Sequence, residues 1–151
     1  MKHKMSNNGV IRIINISNYI QEIVNGDLIL TPKTLYITET ELYQKTLLNS
    51  KILECKINGI NISKLKYASI LIHIYKMMPT NMILQNTTFN FKLEKINENG
   101  YHWHKEINMS MQNKDANLTF KEIIVMVKLN NLSFDIKIKL FNDEIINFKL
   151  N

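Results

Sequence analysis

Apolar and polar residues alternate along much of the carboxy-terminal half of the chain, and this alternation predicts strands. Leu132, Phe134, Ile136, Ile138 and Leu140 are interleaved with Ser133, Asp135, Lys137 and Lys139. A helix would scatter those five apolar groups around its circumference, whereas a strand gathers them on one face. The next strand returns through Ile146, Phe148 and Leu150. A two-residue turn would leave Phe148 facing outward. A three-residue loop, Asn142–Glu144, pairs Leu140 with Ile146, Ile138 with Phe148 and Ile136 with Leu150, so an odd-numbered loop is expected.

The same pattern read upstream predicts further ribbons. Ile123, Val125, Val127 and Leu129 face Leu132, Phe134, Ile136 and Ile138 across Asn130-Asn131. Phe89, Phe91 and Leu93 meet Tyr101, Trp103 and Ile107 across Asn97-Glu-Asn-Gly100, with Leu93 opposite Trp103 and Phe89 opposite Ile107. That register puts Lys105 on an apolar face opposite Phe91, so a bulge or an edge is expected there. Leu53, Cys55 and Ile57 alternate up to Asn58-Gly59, and Ile60 and Ile62 continue beyond it. Asn-Gly suits a type I′ hairpin turn, whose two central residues need positive φ, and it pairs Ile57 with Ile60 and Cys55 with Ile62. The run 67–78 is apolar on both faces, so period alone does not decide it. Ile70, Ile72 and Ile74 favour a central strand that stops before Pro79.

The amino-terminal third mixes signals. Residues 10–16 read as a β segment, with Ser17 as N-cap of a short helix over 18–25 that Gly26 ends. Residues 27–37 read as extended, broken by Pro32. Thr38-Glu-Thr-Glu41 fits a capping box, and Leu42, Leu47 and Leu48 extend that helix to about Ser50. The expected fold is therefore mainly β: an antiparallel meander, sandwich or partly open barrel of roughly nine strands, with one or two short helices.

Composition narrows the class further. The chain has 151 residues, 45% hydrophobic and 21% charged, with four glycines and two prolines. These are values of one globular domain with no linker, expected over 9–151 behind a flexible tail, 1–8. The polar first residues lack an apolar segment behind them, and the apolar runs fall far short of the ~20 residues of a membrane span. A cytoplasmic protein with no membrane partner is expected. Cys55 is the only cysteine, which excludes an intramolecular disulfide and a multi-cysteine metal cluster. The bias to Ile, Asn and Lys points to an AT-rich genome, such as that of a low-GC bacterium, a phage, a large virus or a plasmid.

Candidate chemistry is sparse. His102 and His104 share one strand face, half of a metal site at most, and Lys92 beside them opposes a cation. His73 sits in an isoleucine run, and Cys55 alternates with core residues. No nucleophile elbow or glycine-rich phosphate loop is present, and the carboxylates lie mostly beside lysines. No family signature is recognisable. The expectation is a non-enzymatic protein without cofactor or metal.

Charge and aromatics remain. The net charge is +6, although codon bias supplies part of the lysine. Lys92, Lys95, Lys105, Lys121, Lys128, Lys137, Lys139 and Lys149 recur along the expected strands, a spacing that gathers positive charge on one sheet face and suits phosphate tracking. Tyr101 and Trp103, with Phe89 and Phe91 across from them, offer a stacking platform for unpaired bases. The expected function is binding of single-stranded DNA or RNA through Lys92, Lys95, Tyr101, Trp103, Lys105, Lys121, Lys128, Lys137 and Lys139. The competing expectation is a viral, phage or plasmid protein whose sheet edges bind a protein partner or a second copy, either as an assembly component or as an inhibitor of a host factor. In that case the aromatics are core and the lysines an ordinary solvated face.

Overall fold

The computed structural model describes residues 19–151, together with the backbone of residues 3–5. β1 (His3–Met5), β2 (Tyr19–Val24) and β3 (Asp27–Pro32) form an antiparallel sheet in the order β1-β3-β2. β2 replaces most of the helix expected over 18–25. Asn25 and Gly26 adopt φ of +52° and +80°, the pair that a type I′ turn requires, and Val24 is paired with Asp27. Ile20, Ile23 and Val24 do have helical spacing, but Ile20 and Ile23 are 55% and 76% exposed, so that spacing marks no buried stripe. The β segment expected over 10–16 and its Ser17 cap lie outside the described residues.

Residues 27–37 are largely extended, as their pattern predicts, continuing into β4 (Thr34–Tyr36). The capping box forms. Thr38 Oγ1 accepts from the Glu41 N–H at 3.2 Å, and the Glu41 carboxylate accepts from the Thr38 N–H. The helix α1 (Glu39–Tyr43) is shorter than expected, but Leu42 and Leu47 are both buried. The hairpin of β5 (Lys51–Ile57) and β6 (Ile60–Asn61) has the predicted register, with Asn58 and Gly59 at φ +51° and +77°. A bulge near Leu53 makes Ile52, rather than Leu53, the inward residue beside Cys55 and Ile57.

Two of the predicted strands are helices. The run 67–78 forms α2 (Tyr67–Tyr75), followed by α3 (Thr80–Asn86) beyond Pro79. Ile70, Leu71, Ile74 and Tyr75 are all fully buried, a helical i, i+4 stripe, and Ile72 beside it is buried as well, which is what produces the apparent Ile70/Ile72/Ile74 alternation. The run 123–129 belongs to α4 (Ala116–Leu129), which starts where the Asp115 side chain accepts from the Leu118 N–H at 2.9 Å. Asn130-Asn131 reverses the chain as a helix cap. Asn131 sits at φ +50°, its N–H donates to Lys128 O, and the Leu132 N–H donates to Val127 O, which is a Schellman closure.

The aromatic hairpin is also rewired. β7 (Phe91–Lys92) pairs with β9 (Met109–Gln112), and β9 pairs with β8 (Tyr101–His104), giving the order β7-β9-β8. Lys105 lies in the β8–β9 turn instead of opposite Phe91. β10 (Phe134–Lys139) and β11 (Ile145–Leu150) pair as Phe134 with Leu150, Ile136 with Phe148 and Ile138 with Ile146. The closing loop is odd-numbered, with Leu140 and Glu144 joined across it. It lies one residue earlier than predicted, so the faces match while each pair shifts by two.

The described residues are mainly β, with three sheets and four helices among them. The largest sheet runs β4-β11-β10-β5-β6, with β4 parallel to β11. Its apolar face is covered by helix. Phe120 of α4 meets Phe134 and Phe148 at ring-centroid distances of 6.2 Å, and α4 packs on α2. No helix among the described residues is long and apolar enough to cross a membrane.

Candidate nucleic-acid interface

The nine predicted site residues fall on three surfaces. Lys137 and Lys139 lie on the polar face of β10, and Lys121 and Lys128 lie on α4. Lys92, Tyr101, Trp103, Lys95 and Lys105 belong to the β7-β9-β8 sheet and its loops. The continuous basic sheet face expected from the alternation does not form, because the stretch carrying Lys121 and Lys128 is helical and β7, β8 and β9 form a separate sheet.

The lysines on the large sheet and on α4 have local partners. Lys137 Nζ is 3.3 Å from Glu54, Lys139 is 3.3 Å from Asp143, and Lys149 is 3.5 Å from Asp135. Lys128 holds Glu39 at 2.6 Å, and that ammonium keeps the Glu39 carboxyl below the usual carboxylate range. Lys121 sits 5.9 Å from the centroid of the Tyr43 ring. Lys2, Lys4 and Arg12 contribute a further share of the net charge from the first eighteen residues, which contain no acid.

The small sheet is arranged differently. Ser110 on β9 is paired with Lys92 on one side and with Trp103 on the other, so these three share a face, and Tyr101, two residues from Trp103, shares it too. The Lys92 ammonium stands 5.0 Å over the Tyr101 ring centroid. Ser110 is fully buried and pins the crossing loop, donating to Glu94 O at 2.6 Å and accepting from the Ile96 N–H at 2.8 Å. Asn97 Oδ1 accepts from the Trp103 N–H at 3.1 Å. Lys95 is thereby held in an exposed loop clamped to the sheet, while Tyr101 and Trp103 remain partly exposed.

The opposite face of this sheet is core. Met109 and Met111 are fully buried, and Phe91 meets the Tyr75 ring edge-on at 5.6 Å. Phe89 is buried with Lys114 over its ring, so neither phenylalanine joins Tyr101 and Trp103 in a platform. His102 and His104 share this face, opposite Met111 and Met109. His104 Nε2 is buried without a hydrogen-bond partner, and burial lowers the ring's basicity. Among the described residues no three His, Cys, Asp or Glu side chains converge as metal ligands. Cys55 is buried, which pushes its thiol up to about 12, a protonated core residue at neutral pH.

A buried carboxyl group escapes sequence reading altogether. Glu122 of α4 is 2% exposed. Its oxygens accept from the hydroxyls of Tyr75, Thr87 and Thr88 and from the Thr88 N–H. The node ties the end of α2, the segment after α3 and the middle of α4 together. Read as a helix, Thr119, Phe120, Ile123 and Val127 would have placed Glu122 beside a buried stripe; read as a strand, the stretch hides it. The four donors on the Glu122 carboxylate fasten three segments of the core to one another. Comparison with known protein families, curated proteins and solved structures finds no match for the chain.

Proposed function

We propose that the protein is a non-enzymatic binding protein, and that the face carrying Lys92, Tyr101 and Trp103 binds single-stranded nucleic acid. The observation that carries this reading is the Lys92 ammonium 5.0 Å over the Tyr101 ring, on the same sheet face as Trp103. A cation held over an aromatic keeps its charge available to a phosphate, while the ring edges remain for base stacking. Lys95, in the clamped loop, adds a second positive charge. Trp103 is the only tryptophan, so its fluorescence reports on this face alone. Titration with oligo-dT should quench it, more weakly at higher salt because each neutralised phosphate releases a counterion. An unchanged signal at low salt would eliminate the reading.

A second reading has its own observation. β2 is an outer strand of its sheet with Ile20, Ile23 and Val24 exposed, the kind of edge that accepts another strand from a protein partner. It is favoured if light scattering shows self-association that Ile23→Lys abolishes while oligo-dT has no effect.

A further inference from the structure

Two shallow cavities meet at Lys76 and Glu106. The larger, about 250 Å³, is lined by Ser63 and Lys64 after β6, by Ser69, His73 and Lys76 along α2, and by Glu106 in the β8–β9 turn. The smaller, about 170 Å³, continues past Tyr75 toward Thr80. Ser69, His73 and Lys76 fall at i, i+4 and i+7 on one helix face, while Ile70, Leu71 and Ile74 of the same helix fill the core.

The donors of this groove are uncommitted. Among the described residues, the side chains of Ser63, Lys64, Ser69, His73 and Lys76 make no hydrogen bond or ion pair with another protein group. Glu106 faces the same space. Its carboxyl is held below the usual range first by its own N–H and then by the nearby charges of Lys64, His104 and Lys76. Lys64 and Lys76 stand near enough to act on the Glu106 carboxylate by charge without forming an ion pair with it. Two lysines, two hydroxyls and an imidazole against one carboxylate make a site rich in donors and positive on balance.

We infer that this groove binds a phosphate group. A compact anion with several acceptor oxygens matches donors arriving from separate elements. The larger cavity is below the ~300–1,000 Å³ typical of sites that enclose a whole ligand, so the part held in the groove is the phosphate itself, with whatever carries it left outside. The phosphate comes either from a free small molecule or from a nucleic-acid backbone. The inference is independent of the Lys92–Trp103 face.

The test is calorimetric titration of the full chain with inorganic phosphate, thymidine 5′-monophosphate and oligo-dT. It is run on the natural protein and on the exposed-residue variants Lys76→Ala and Glu106→Gln. Lys76→Ala should weaken binding about tenfold, the scale of one charge-assisted hydrogen bond. Glu106→Gln should tighten it, because a like charge is removed. Both responses with the small phosphates assign a free ligand, and both responses with oligo-dT alone assign a backbone phosphate. Binding of none of the three probes, or binding indifferent to both substitutions, would overturn the inference. Trp103→Ala leaves phosphate binding in the groove unchanged.

Discussion

The lysines of β10 and those around β8 differ in what stands beside them. Lys137 and Lys139 each lie 3.3 Å from a carboxylate, and beyond the Debye length of about 8 Å at physiological salt such a pair is close to neutral. Lys92 stands over the Tyr101 ring, whose quadrupole attracts the cation without cancelling its charge. A count of lysines on a surface therefore does not give its field. On the proposed function a polyanion should be drawn to the β8 face, although β10 carries its lysines in the more regular array.

The scaffold beneath both surfaces gives the largest expected effect. Glu122→Ala removes the shared acceptor of the Tyr75, Thr87 and Thr88 hydroxyls, of which only one member of the Tyr75–Thr87 pair can still donate to the other, and should cost about 3 kcal/mol in urea unfolding. Oligonucleotide affinity of the folded fraction should not change. Trp103→Ala separates the surfaces directly, lowering oligo-dT affinity by ~1–3 kcal/mol, whereas Lys137→Ala leaves it unaltered. A more modest effect is pH-dependent. Burial depresses the His104 pKa below its unfolded value of about 6.5, so its contribution to stability is complete above that pH and is lost as pH falls below it through the folded value. The urea midpoint should fall between pH 7.5 and pH 5.5, and His104→Gln should flatten that change. The smallest effect is expected on the neutralised side. Removing the exposed Lys128–Glu39 pair with Lys128→Ala should cost under about 1 kcal/mol.

How legible each region was depended on how many of its faces are buried. Phe134, Ile136 and Ile138 are buried while Asp135, Lys137 and Lys139 are not, so period two survives in β10 and both the fold class and the face could be read. α2 buries Ile72 as well as Ile70, Leu71, Ile74 and Tyr75. A helix apolar on most sides supplies false alternations to any reading of every second residue. Its ends carry the deciding information. Asp115 before α4 and Asn131 after it are cap residues that a strand would not need, and Asn25-Gly26 outweighs the helical spacing of Ile20, Ile23 and Val24. At the candidate site, the nearness of Tyr101 and Trp103 on one strand face was readable as local sequence, whereas Lys92 was expected beside His102 and His104 on the other face. The neutralisation of Lys137 was not readable, because Glu54 reaches it only through the pairing of β5 with β10. The rewired β7 shows the same limit: Ser110 gathers Lys92 and Trp103 from opposite sides, and no short-range pattern encodes that.

The difference between the two lysine surfaces can be measured in one experiment, the slope of log affinity for oligo-dT against log salt for Lys92→Ala and for Lys137→Ala. Loss of one phosphate contact should flatten the Lys92→Ala slope by about one, while the Lys137→Ala slope stays with that of the natural protein. Equal slopes for the two variants, or a larger change for Lys137→Ala, would contradict the account.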